Sequence, residues 1–329
     1  MVSMKLFFLL YDPRSGSTLL SDLITKNMSV LISPETNLII NILLEYETNH
    51  ILSNKDCNKI LKITHKDRKI NDWRITDKII YIIKTSTGGT IGDLVRDIFS
   101  SYIQSFSDYQ DYTAFGLKKE SYAAIADKLK LIFPDAKFIC ILRDPRGVFL
   151  SKKNSIYTGN GKPFQVDSIK SSMEWKIYVR RIEYIKEQFK NSFLLIKYED
   201  IIKDSDNIML KISSFLSIDM DKSNKRYYVH NRYKNIHNNL SSKIIVNNDI
   251  RWKKELSDKE IFFIELACSE RMEYYGYKKE TPKYPNKFII NYMLYMIKSL
   301  LLRLLSYLRL KFGGIVYSNT GIKALRKRW

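Results

Sequence analysis

The chain opens on the feature that most constrains its fold. An uninterrupted apolar run, Leu6 to Tyr11, meets the polar turn Asp12-Pro13-Arg14-Ser15-Gly16-Ser17-Thr18, and Leu19, Leu20, Leu23 and Ile24 then recur at helical spacing. A short apolar run without alternation reads as a strand buried on both faces, as in a parallel sheet. The pattern predicts a strand over Lys5–Tyr11, a tight loop, and a helix from Ser17 to Lys26. Such a loop aims several unpaired helix N–H groups and the positive end of the helix dipole at one spot, which suits an anion such as phosphate. The general phosphate-loop motif ends in Lys-Ser/Thr. Here Gly16 is followed by Ser17 and Thr18, so that lysine is missing and Arg14 is the candidate cation. Taken alone, the loop reads better as a plain strand-turn-helix connection.

Further along, strand and helix patterns alternate. Helices are predicted over Leu38 to Ile51, Gly92 to Phe106, and Tyr122 to Phe133, the last stopped by Pro134. Ala136 to Leu142 is a second buried strand and Phe193 to Tyr198 a third. Asp144 to Asn154 is a helix with Pro145 in its first turn, where a missing N–H does no harm. Ser257 to Tyr274 begins with the capping-box spacing Ser257…Glu260. No internal repeat is evident. The expected architecture is α/β: a P-loop-like parallel sheet flanked by helices over residues 1–280, with helical insertions, and a basic amphipathic helical tail over 281–329.

A second segment gives the opening loop a partner. A strand ends at Arg143, and the following helix carries Ser151 eight residues later. A guanidinium and a hydroxyl can therefore meet one anionic group at the strand's carboxyl end, where ligands of open α/β sheets sit. With this pairing the chain resembles the sulfotransferases that use 3′-phosphoadenosine 5′-phosphosulfate, especially bacterial members and their tyrosylprotein and carbohydrate relatives. Arg14-Ser15-Gly16-Ser17-Thr18 matches the family's loop for the 5′-phosphosulfate, and Arg143 and Ser151 match its 3′-phosphate residues. Ser33-Pro34-Glu35-Thr36 is similar to the family's Pro-Glu-Thr, whose Glu is the base in the tyrosylprotein branch. Phe115-Gly116-Leu117-Lys118 is similar to its Gly-Asp-Lys, and either Lys118 or Lys119 would be the active-site lysine. Tyr198 in Lys197-Tyr198-Glu199-Asp200 would line the pocket, and Lys243 falls where relatives close a loop over the cofactor. Arg251-Trp252 and Gly276-Tyr277 look like closing motifs. The resemblance covers roughly residues 4 to 278.

The sequence departs from the family at Tyr11 and Asp12, which stand where a glycine and a small residue are usual. A carboxylate beside a phosphosulfate weakens binding, so Asp12 must point away or pair with a cation. The chemistry is consistent with the residues. Sulfuryl transfer is an in-line displacement that moves charge onto the leaving phosphate, and the loop N–H groups, Arg14 and Lys118 can stabilise it without a metal. Glu35 is the candidate base for an acceptor hydroxyl, although a carboxylate at the start of the helix after it would also be favourable there. The alternatives are an ATP-dependent phosphotransferase, against which the missing lysine speaks, and a non-catalytic basic protein that binds membrane or nucleic acid.

Composition narrows the setting. Fifty-five Lys and Arg against 35 Asp and Glu give a net charge of +20, spread along the chain, which attracts anions without defining chemistry. Nucleic acid is not the expected partner. Three scattered cysteines suggest neither disulfides nor zinc and fit a reducing, cytoplasmic compartment. The opening apolar run is too short, and wrongly flanked, for a secretory signal. Phe288 to Leu310 is apolar but carries Lys298, Arg303 and Arg309, costly at a bilayer centre. It is expected to pack on the body or to lie on the inner face of an anionic membrane. The acceptor is expected to be a saccharide, glycolipid or small metabolite, selected by segments 37–89 and 157–175. Arg146 and Lys84 read as surface or loop residues, Trp252 as core, and His65, His230 and His237 as solvated.

Overall fold

The computed structural model describes residues 5–106, 111–157, 161–220, 249–280, 289–290, 292–295, 297 and 301. Its centre is a five-stranded, all-parallel sheet in the order β2-β3-β1-β4-β7. These strands are β1 (Lys5–Tyr11), β2 (Val30–Ile32), β3 (Ala114–Lys118), β4 (Lys137–Leu142) and β7 (Phe193–Lys197). A two-residue antiparallel pair, β5 (Ile156–Tyr157) and β6 (Lys162–Pro163), stands apart. β1 lies in the middle and alternates its side chains between two cores. Phe8 and Leu10 face one core with Phe115, Leu117, Phe138 and Cys140, whereas Phe7, Leu9 and Tyr11 face the other with Ile139 and Ile141. Both faces are covered, which accounts for the uninterrupted apolar run.

The helices are α1 (Ser17–Asn27), α2 (Leu38–Glu45), α3 (Asn54–Lys66), α4 (Thr76–Thr85), α5 (Ile91–Ile103), α6 (Ala126–Ile132), α7 (Pro145–Asn154), α8 (Ser168–Gln188), α9 (Tyr198–Lys203) and α10 (Ser205–Leu216), and Asp258–Tyr274 forms a further long helix. α1 and α10 cover the Phe7 face, and α5, α6 and α8 the Phe8 face. The predicted strand, loop and helix at the start appear at their expected positions, as do α7 behind its Asp144 cap and the Ser257 capping box.

Three expectations change. The helix predicted over Leu38 to Ile51 stops at Glu45, where the buried ammonium of Lys128 donates to the carbonyls of Leu43 and Tyr46, both at 2.7 Å, and ends the helix from outside. The helix over Tyr122 to Phe133 divides into a 3-10 turn, Glu120–Ala124, and α6. Arg146 is buried rather than on a surface, because Asp144 and Glu265 both bond its guanidinium.

α8 braces the carboxyl edge of the sheet. Trp175 Nε1 donates to the Arg143 carbonyl at 2.9 Å, and the Tyr178 hydroxyl reaches the carbonyls of Leu10 and Ile141. Carbonyls at the end of the strand ladder thus acquire buried donors. Trp175, at the end of a segment expected to select acceptors, is part of this brace.

Candidate active site

All five parallel strands deliver residues to one edge. The Asp12–Thr18 loop follows β1, Glu35 follows β2, Lys118 ends β3, Arg143 follows β4 and Tyr198 follows β7. This is the carboxyl edge, the usual ligand side of an open parallel sheet.

The loop is shaped by two left-handed residues. Arg14 has φ 74° and Gly16 φ 96°. Glycine is required at 16 twice over, since a Cβ there would also lie 2.3 Å from Cδ2 of Tyr198. The turn leaves Ser15 buried with its hydroxyl lacking any hydrogen-bond partner in the structure. Ser17 and Thr18 form the first turn of α1, which contains no acidic residue. A buried polar atom without a partner, beside free helix N–H groups, fits an anionic ligand.

Two guanidiniums meet at this loop. Arg143 Nη1 donates to the Arg14 carbonyl at 3.2 Å, and its plane lies over the Tyr198 ring, 4.0 Å from the centroid. Arg14 Nε donates to Ser151 Oγ at 3.2 Å, and its guanidinium faces the Phe164 ring at 5.9 Å. Burial, and then the neighbouring Arg143 charge, lower the Arg14 pKa to about 10. Cations held this close favour a multiply charged anion between them. The structure brings Arg14, Arg143, Ser151 and Tyr198 to one place, and Ser151, which the sequence paired with Arg143, bonds Arg14.

Lys118 is buried, donates to Thr18 Oγ1 at 3.1 Å and lies over the Tyr11 ring. Burial lowers its pKa to about 8, against the opposing pull of Glu35. Lys119 is buried too, but its ammonium pairs with Glu120 at 2.7 Å and approaches Glu35 at 3.8 Å. Of the two lysines left open by the sequence, Lys118 is the one that bonds the loop.

Glu35 stands at the centre of a cationic group. It accepts from the Tyr11 hydroxyl and from Lys69 Nζ, the latter at 2.9 Å. Burial raises its pKa, but Lys118, Lys69 and Lys119 and the Tyr11 bond outweigh burial and hold it down at about 2. Sequence reading missed Lys69, which lies 34 residues beyond Glu35 in the 3-10 turn Arg68–Trp73. It treated Tyr11 only as bulk beside the loop. Asp12 finds the cation it needs in Lys152, whose buried ammonium lies 3.1 Å from Oδ2 and also contacts Glu174. Burial nevertheless raises the Asp12 pKa to about 6.

The remaining candidates lie elsewhere. Lys243, His230 and His237 fall outside the described residues. Trp252 is buried in an apolar cluster with Phe149 and Leu150, and the Arg146 guanidinium covers its ring. Lys84 is exposed on α4, a helix rather than a loop, and His65 is exposed on α3. Among the described residues no three His, Cys, Asp or Glu side chains are placed to hold a metal.

Known proteins add the family. No curated protein matches the chain in sequence. The sulfotransferase domain of the Synechococcus PCC 7002 olefin synthase has the same fold, with TM-score 0.56 and 18% identity over 84% of this chain and 97% of that domain. The sulfotransferase domain of the curacin biosynthetic pathway gives 0.53 and 15% identity over 82% and 98%. The profile of the sulfotransferase family matches residues 7–222, a span that contains the loop, Glu35, Lys118, Arg143, Ser151 and Tyr198. The chain belongs to the sulfotransferase family.

Proposed function

We propose that the chain transfers a sulfuryl group from 3′-phosphoadenosine 5′-phosphosulfate to a hydroxyl of a small-molecule or glycan acceptor. The observation that carries this reading is the meeting, at one strand edge, of the left-handed loop with its unpartnered Ser15 hydroxyl, the buried Lys118, and the Arg14 and Arg143 guanidiniums. The donor would supply an activated sulfuryl group on a phosphate leaving group. The N–H groups at the start of α1, the Ser15 hydroxyl and Arg14 bind the 5′-phosphosulfate end. Arg143 and Ser151 bind the 3′-phosphate, the guanidinium through its planar fork. Tyr198 holds both the Gly16 turn and the Arg143 plane in place.

Lys118 donates toward the charge that develops on the leaving oxygen. At neutral pH it remains largely protonated, since its pKa is about 8. Glu35 accepts the acceptor's proton, and Tyr11 and Lys69 orient its two oxygens. A carboxylate with a pKa near 2 is a weak base. An anion at Lys118 offsets one of the cations holding Glu35 down, and so raises its basicity when the site is filled.

The test is thermal stabilisation of the full chain by adenosine 3′,5′-bisphosphate against ADP and AMP, at matched ionic strength and without magnesium. At about a hundred times its dissociation constant the bisphosphate should add roughly 2.7 kcal/mol. Selective stabilisation is the expected result. Equal shifts for all three nucleotides, or none, would remove the donor assignment.

A further inference from the structure

The last 49 residues, 281–329, carry ten Lys and Arg and no Asp or Glu, half of the net charge of +20. The described residues of this tail are helical, and they sort by side. Tyr292 and Tyr295 pack on Ile169, Phe262 and Phe263 of the body, and the Tyr295 hydroxyl donates to Asp167 Oδ2 at 2.8 Å. Asp167 caps α8, so the turn that carries Tyr292 and Tyr295 is fixed to the molecule at a defined place. Ile289, Ile290, Met293, Leu294, Ile297 and Leu301 are between 36% and 58% exposed. Their spacing follows the helical period, so they form a continuous apolar stripe rather than scattered surface residues. Among the described residues no helix is long and apolar enough to cross a membrane.

We propose that the exposed Ile290, Met293, Leu294 and Ile297 stripe docks the protein on the surface of an anionic lipid bilayer, to which the positive charge of the 281–329 sequence attracts it. An apolar stripe within an acid-free, cationic segment has the composition of a helix that lies in the plane of such an interface. Other occupants fit less well. A second copy of the chain would bring together two segments of ten positive charges each, with no acidic residue to pair them. A nucleic acid would satisfy the charge and leave the apolar stripe in water. The inference does not depend on the transfer chemistry.

The experiment is co-sedimentation of the full chain with vesicles of phosphatidylcholine alone and of phosphatidylcholine mixed with phosphatidylglycerol. Binding to the mixed vesicles, weakened by salt, is expected. Met293→Glu combined with Ile297→Glu should weaken it about tenfold or more, whereas Tyr81→Glu, at an exposed apolar residue of α4, should leave it unchanged. Unfolding temperatures of both variants within the error of the parent show that the fold is intact. Absence of vesicle binding, equal binding to neutral and anionic vesicles, or binding that survives the double substitution overturns the proposal. So does a dimer seen by light scattering that the double substitution dissociates while vesicle binding is absent.

Discussion

Asp12 and Glu35 are carboxyls at one sheet edge whose surroundings pull them in opposite directions. Burial raises Asp12 to about 6 despite Lys152, whereas the lysines around Glu35 hold it near 2 despite burial. The consequences for stability have opposite signs. Glu35 contributes stability that is full above its ordinary range and is lost as pH falls toward 2. Asp12 keeps its proton in the folded state through a range where the unfolded chain has released it, so stability falls as pH rises from about 4 to 6, by roughly 3 kcal/mol at most. Asp12→Asn should flatten the dependence of unfolding temperature on pH between 4 and 6, as followed by circular dichroism; an unchanged slope would assign it to another group. Glu35→Gln should retain stabilisation by adenosine 3′,5′-bisphosphate and lose turnover by about a hundredfold or more, as expected for loss of a general base. Normal turnover would remove Glu35 from the chemistry. That Asp12 either points away or pairs with a cation was legible in the sequence, since a carboxylate facing an anion would repel it. The identity of that cation was not, because Lys152 lies 140 residues away and reaches Asp12 only through the packing of α7.

At the scale of elements, α7 shows why some segments are legible and others are not. Its start is local: Asp144 accepts from the Arg146 N–H at 2.8 Å, and Pro145 occupies the first turn. Its orientation is not local. Arg146 bonds Asp144 and the fully buried Glu265, and its guanidinium stacks on Trp252 at 3.7 Å, so that α7 is locked to the Asp258–Tyr274 helix. A sequence places an arginine on a helix but does not say which carboxylate a distant helix will bring to it. The end of α2 follows the same logic, because Lys128, more than 80 residues away, donates to the Leu43 and Tyr46 carbonyls at its last turn. Arg146→Ala deprives two buried carboxylates of their shared cation and should cost about 3 to 5 kcal/mol in urea unfolding. A loss below about 1 kcal/mol would mean that the pair is hydrated or rearranges freely.

Across the whole molecule, the site exists because five parallel strands end at one edge, and the apolar runs of β1 and β4 already announce such a sheet. The placement of the Arg14–Thr18 loop and of Arg143 was legible because each is encoded locally, as a strand followed by a polar turn and a helix. The groups around Glu35 were not: the sheet order β2-β3-β1 brings Tyr11 and Lys119 to it, and Lys69 arrives on the separate Arg68–Trp73 turn, which Asp67 ties to Thr36 and Asn37. Arg143 tests how far the edge acts as a unit. It contacts the Arg14 carbonyl and the Tyr198 ring, and so supports the loop besides the role proposed for it at the 3′-phosphate. Arg143→Ala should weaken adenosine 3′,5′-bisphosphate by about 2 to 5 kcal/mol, because it removes a charged partner from a buried site. AMP, which lacks the 3′-phosphate, should lose less, and the preference for the bisphosphate should disappear in calorimetric titrations of both nucleotides. If both weaken equally, Arg143 acts only through the Arg14 turn, and the 3′-phosphate is held elsewhere on the edge.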